Sequence, residues 1–144
     1  MSNNKLKLLT DELDNKSLST GTGLTIELIE GDNSDDVSVA QILVEGREEL
    51  PIYMTIDEGQ VLCITYLWHE REVKSGMRAD LMDVLLTLNV SVPLSAFSKI
   101  GNQYIIYGAL SPDSNVNDVL LEIEVLSDNA LEAIETVSEF LNEE

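Results

Sequence analysis

Cysteine, proline, histidine and positive charge are all scarce in this chain. Its 144 residues include one cysteine (Cys63), one histidine (His69), three prolines, and eight lysines and arginines. A single cysteine excludes an internal disulfide, which agrees with a reducing compartment. A single histidine excludes a zinc site made of histidines, and any Ser-His-Asp triad that His69 does not serve. No apolar run approaches the roughly 20 residues that span a bilayer. The opening MSNNKLKLLTDELDNK lacks the apolar middle and small-residue cleavage site of a secretory signal. The expectation is a cytoplasmic protein with no membrane insertion. Against the eight bases stand 27 acids, a formal charge of −19. Such a field repels nucleic-acid phosphates and anionic head groups, so no nucleic acid is expected as a partner. The acidity serves either solubility or a basic partner.

What is present describes an ordinary folded domain. The apolar fraction is 44%, and a chain of this length buries roughly two thirds of its surface in one domain, 1–144. Leu6, Leu9 and Leu13 predict a short amphipathic helix that Asn4 could cap, with SLSTGTG breaking it inside residues 1–22. A meander of four strands follows over 23–68: LTIELIE, VSVAQILVE, PIYMTID and VLCITYLW, joined by short turns. VLCITYLW is apolar on both faces, with Leu62, Ile64, Tyr66 and Trp68 on one and Val61, Cys63 and Leu67 on the other. It therefore belongs in the middle of the sheet with both faces at least partly covered. Met77, Leu81, Val84, Leu85 and Leu88 mark a middle helix over 75–89, with Ser75 a candidate cap and Asn89 and Pro93 its end. AFSKIGNQYIIYGAL reads as a hairpin over 96–110 about Gly101-Asn102. Residues 115–142 recur at threes and fours and predict a long C-terminal helix, with Ser127 the place where it could bend. The fold class is α+β: an antiparallel or mixed sheet of five to six strands with three helices.

Catalytic equipment is missing. His69 directly follows a strand, flanked by Glu70 and Glu72, and no nucleophile stands out beside it. Cys63 lies in an apolar strand, where a thiol is inert and expected to be buried. DNSDD at 32–36 gathers oxygens that hard cations prefer, but an EF-hand loop begun at Asp32 would need glycine where Val37 stands and glutamate where Leu43 stands. GTG precedes a strand and lacks the lysine of a Walker loop. No enzyme, no metal and no cofactor are expected.

Charge supplies the candidate contacts. Half of the bases fall at Arg71, Lys74, Arg78 and Lys99. The first three surround the strand-to-helix junction in LWHEREVKSGM, where they either meet an acidic partner or neutralise the protein's own acids. No base follows Lys99, and the C-terminal helix repeats like charges at i, i+4 (Asp118–Glu122, Asp128–Glu132, Glu135–Glu139), each pair costing a few tenths of a kcal/mol. A helix that keeps such terms is held by its apolar face, and Glu132, Glu135 and Glu139 on its outer face could receive a basic segment. That segment would belong to a partner protein or to the Arg71–Arg78 region of a second subunit. The two-faced apolar strand further predicts a homodimer.

LLTLNVSVPLSAFSKIGNQYIIYGAL, with Pro93, Phe97 and a hairpin before a long acidic helix ending NALEAIETVSEFL, resembles the YjfI-like bacterial proteins, a family of unknown function. The resemblance runs from about Leu50 onward. The order of elements is also similar to the plan of YbjN and the type III secretion chaperones, except that four strands here precede the middle helix where three are usual. These resemblances imply a small acidic homodimer that holds a protein partner and catalyses nothing. Because YjfI-like genes often lie near genes for phage-shock-type membrane maintenance, they also imply a partner linked to envelope stress. The alternative is a small-ligand or metal-responsive domain using the turn at 32–36.

Overall fold

The computed structural model describes residues 2–29 and 39–142. The acidic turn at 32–36 lies outside them. The first helix, α1 (Ser2–Thr20), is longer than its leucine spacing suggests. Leu6, Leu9 and Leu13 are buried as expected, and Ser17 continues the stripe as a buried small residue whose hydroxyl donates to Asp14 O. Helix therefore runs on through SLST and stops only at Gly21, whose φ of +80° ends it as a left-handed C-terminal residue. Because α1 begins before Asn4, that residue is not its cap.

Six antiparallel strands follow: β1 (Leu24–Ile29), β2 (Val39–Val44), β3 (Ile52–Ile56), β4 (Val61–His69), β5 (Ala96–Ile100) and β6 (Gln103–Leu110). Their order in the sheet is β1-β2-β3-β4-β6-β5, so β4 is internal and β5 forms one edge. The register sends Ile42, Ile52, Met54, Cys63 and Ile106 to one face, where α1 and α3 (Val116–Thr136) bury them. Asn115 caps α3, its Oδ1 accepting from Asp118 N at 2.9 Å. The helix runs unbroken through Ser127.

A bulge in β4 corrects the expected face of Trp68. Tyr66 pairs with Ile105 but His69 with Gln103, so one extra residue sits between them. Beyond that irregularity the alternation reverses, and Trp68 turns from the side of Leu62 and Ile64 to the helix side. There it stacks on Tyr104, with ring centroids 5.6 Å apart, in a second small core with Leu81, Leu85, Val137 and Phe140.

The helix α2 (Arg78–Ser91) seals this second core with Leu81 and Leu85. Its cap is Met77, which makes no side-chain cap bond, because Gly76 at φ +83° turns the chain after Ser75. Asn89 does not end α2. Its Oδ1 instead accepts Phe97 N at 2.6 Å, drawing β5 against the helix. At the other end of the chain, the helix expected over 115–142 stops at Thr136. Its last turn carries no base to favour the negative end of the dipole, while Phe140 enters the second core and Leu141 bridges Val73. Burial of those two side chains outweighs another helical turn, and residues 138–140 form a 3-10 turn, η2 (Ser138–Phe140).

Candidate binding surfaces

The strand-to-helix junction is a knot of charge centred on Glu70. Its carboxylate accepts from Lys99 Nζ at 2.7 Å, Tyr104 hydroxyl at 2.7 Å and Arg78 Nε at 3.1 Å. The bonds from Lys99 and Tyr104, helped by the charges of Arg78 and Lys99, pull its pKa down to about 2. Burial first, and then the carboxylate, push the Tyr104 hydroxyl up to about 12. Lys99 also lies over the Tyr104 ring, 5.1 Å from its centroid. Arg78 and Lys99 are thus spent on one internal acid. Lys99 was the partner that spacing could not reveal, since β5 delivers it across the fold from Glu70.

His69 has a local structural task. It precedes the single turn η1 (Glu70–Glu72), with Nδ1 accepting Arg71 N while its own backbone N–H donates to Glu72. Arg71 and Lys74 make no ion pair among the described residues. Lys74 N donates to Phe140 O at 2.8 Å, which brings this basic segment beside the chain's own C-terminal turn. Glu132 and Glu135 are exposed on α3, whereas Glu139 lies in η2 and is not helically spaced from Glu135. Glu132 lines a cleft of about 130 Å³ between α2 and α3, together with Pro93 and Phe97. No described ion pair joins the two candidate sets.

Glu122 departs furthest from the outward acidic face expected of α3. It is 2% exposed, its Oε2 has no hydrogen-bond partner, and burial raises its pKa to about 7. It fits only because β6 offers Gly108, where an added methyl would collide with the carboxylate. Beside it Cys63 is fully buried, and burial together with the Glu122 charge holds its thiol far above the usual range. Native protein should therefore react with a maleimide orders of magnitude more slowly than urea-unfolded protein, a difference that absorbance-monitored labelling measures directly. No group of three or more His, Cys, Asp or Glu among the described residues could hold a metal ion.

The remaining surface is the reverse of the sheet. Across β3, β4 and β6, Tyr53 pairs with Ile64 and Ile64 with Tyr107. Tyr66, two residues on from Ile64, tilts against Tyr53 with ring centroids 5.5 Å apart. Ile105 is buried yet belongs to neither helix-side core. No helix among the described residues covers this face; all three lie on the other. The reverse of VLCITYLW is thus shielded by neighbouring side chains alone.

Fold and surfaces together define a small α+β domain with a helix-covered and a bare sheet face. The chain belongs to the bacterial family described as "Uncharacterized protein conserved in bacteria (DUF2170)", whose model matches residues 3–141. It is similar in fold to YbjN of E. coli, with 15% identity, a TM-score of 0.56, and coverage of 93% of this chain and 95% of that one. A chain of the heterodimeric ExoU–SpcU complex from the type III secretion system of Pseudomonas aeruginosa also matches. There the identity is 14% and the TM-score 0.49, over 81% of this chain and 83% of that one. No curated protein matches the sequence. No described helix is long and apolar enough to cross a membrane.

Proposed function

We propose that this chain is a non-enzymatic, cytoplasmic protein-binding adaptor of chaperone-like character that works as a homodimer. The observation that carries this reading is the helix-free sheet face with Tyr53, Tyr66 and Tyr107 around Ile64. Tyrosines over an apolar floor are what protein interfaces concentrate, because each adds contact area at small entropic cost and keeps a polar handle. The occupant this face suits is an extended segment of a partner protein with apolar anchors and flanking lysines or arginines, drawn in by the chain's charge of −19. Glu132, Glu135 and Glu139 contribute to that attraction from the helix side, and Arg71 and Lys74 are left to meet a partner carboxylate. The link to envelope stress implied by the family resemblance would reside in the partner's identity.

The test is affinity purification from the native host with quantitative mass spectrometry, comparing wild type with Tyr53→Ser/Tyr66→Ser. One defined protein should be retained by wild type and lost at least about tenfold with the double variant, since two interface tyrosines together contribute upward of 1.4 kcal/mol. Replacing Glu132, Glu135 and Glu139 by glutamine should slow association without abolishing the complex, and raise the melting temperature at low salt. Retention of that protein by the tyrosine variant would remove the sheet face from consideration.

A further inference from the structure

Two helices of this chain end without the charge that a helix end favours. The last turns of α2 and α3 carry no lysine or arginine. The closing carbonyls of a helix lack intrahelical partners and form the negative end of its dipole, where a cation is stabilising. The two ends meet. Leu88 and Ser91 from the last turn of α2, and Ala133 and Thr136 from the last turn of α3, line the same cleft of about 130 Å³. Glu132 lines it as well, and no described ion pair holds that carboxylate. The elements around the cleft own two bases, Arg78 of α2 and Lys99 of β5, and Glu70 holds both.

The other polar groups of the cleft are set to accept. Ser91 Oγ donates to Leu88 O at 3.2 Å, which leaves its lone pairs for an incoming donor. Asn129, also in the lining, donates from Nδ2 to Pro93 O at 2.9 Å and to Ser95 Oγ at 3.1 Å. A proline carbonyl only accepts, so the amide is fixed in this sense, and Asn129 Oδ1 has no described partner. The same two bonds hold the loop at Leu94, whose φ of +64° is the one positive value at a non-glycine residue among those described. Strain of this kind clusters at ligand clamps and persists where the surroundings impose it. Here a side chain of the cleft imposes it.

We propose that this cleft receives a lysine side chain of a partner protein. Its ammonium meets Glu132 and the two helix ends, and its aliphatic stem lies against Leu88, Val92 and Phe97. Charge and size select this occupant. The cleft falls well below the roughly 300–1,000 Å³ of pockets that enclose drug-sized ligands, and it suits one unbranched side chain. A bare metal ion gains nothing from the apolar lining, which a lysine stem covers while its charged head stays among polar groups. An ammonium spreads three donors over separate acceptors, whereas the planar fork of arginine suits a single paired one. This occupant rests on the protein-binding reading of the chain but not on the tyrosine face, since α2 and α3 lie on the opposite side of the sheet.

The test is an NMR titration of the full chain with N-acetyl-lysine methylamide as the probe, following backbone amide shifts at constant ionic strength. The amides of Val92, Ala133 and Thr136 should shift together and saturate with a millimolar Kd, while those of Tyr53 and Ile64 stay in place. Glu132→Gln removes the charged acceptor and should weaken binding at least about tenfold. Glu132 is exposed, so the fold should survive, and unchanged shifts elsewhere in the spectrum verify this. Glu58→Gln, in an exposed acid of the β3–β4 turn, should leave binding unchanged, which separates the cleft from the general pull of the −19 charge. Undiminished binding to Glu132→Gln would overturn the inference, as would equal binding of N-acetyl-norleucine methylamide, which lacks the ammonium. Movement of the same amides on dilution of the free protein would seat a second copy there and overturn it too. In each case partner capture by the tyrosine face keeps its own test, and loss of that capture with lysine binding intact would remove the tyrosine face alone.

Discussion

Glu122→Gln should make the protein more stable at pH 8 by as much as about 3 kcal/mol, the free-energy equivalent of the upward pKa shift. In the folded protein the Glu122 carboxyl titrates near 7, against 4.5 in its unperturbed state, because burial disfavours the charged form. Between those two values the folded state holds a proton that the unfolded state has lost, so stability falls as pH rises through this window. Below about 4.5 both states are protonated and the penalty vanishes; above about 7 it is complete. Glutamine keeps the shape over Gly108 and cannot ionise. Urea unfolding at pH 5, 6, 7 and 8 measures the effect, and equal slopes against pH for wild type and variant would show that Glu122 is not the buried acid described.

Glu70 shifts the balance in the opposite direction. Its carboxyl, held near 2 by Lys99 and Tyr104, contributes stability that is present above about 4.5 and lost as pH falls toward 2. The two acids together place the stability maximum in mildly acidic solution, near the upper end of the unfolded carboxylate range. Gly108→Ala should be destabilising at every pH, because the added methyl meets the Glu122 side chain whatever its charge.

Trp68→Ala should cost about 3–5 kcal/mol, the usual range for an aromatic removed from a packed core. Trp68 is 3% exposed and stands where the bulged end of β4, α2 and the turn η2 meet. Its loss leaves Tyr104 without a stacking partner and opens a cavity against Leu81, Leu85 and Phe140. Trp68→Phe should recover much of that loss. Because Trp68 is the only tryptophan, its emission reports the second core: blue-shifted in the native protein, and red-shifted in Phe140→Ala if the C-terminal turn lifts away. A cost below about 1 kcal/mol for Trp68→Ala would mean that the second core does not hold α2.

The positions of the strands were legible because period-two alternation, together with short turns, constrains a meander locally. β1 to β6 all fall where their alternation places them, and the central position of β4 followed from its apolar residues on both sides. Helix existence was equally clear, since Leu6-Leu9-Leu13, Leu81-Leu85 and Val119-Ile123-Ala130 recur at helical spacing. Helix ends were not. Met77 starts α2 without a side-chain cap, and Phe140 and Leu141 stop α3 because a distant core takes them up.

The sequence by itself determined an acidic α+β domain with a buried thiol and no recognisable catalytic set, because composition and hydrophobic period depend only on neighbouring residues. Tertiary structure alone decided which charges meet and which face each side chain takes. Glu70, Arg78, Lys99 and Tyr104 come from four separate elements, and no spacing brings them together. One inserted residue in β4 moved Trp68 to the opposite face of the sheet, and the missing side chain of Gly108 drew Glu122 into the core. In each case the deciding energy is a contact between residues far apart in the chain, which local pattern cannot encode.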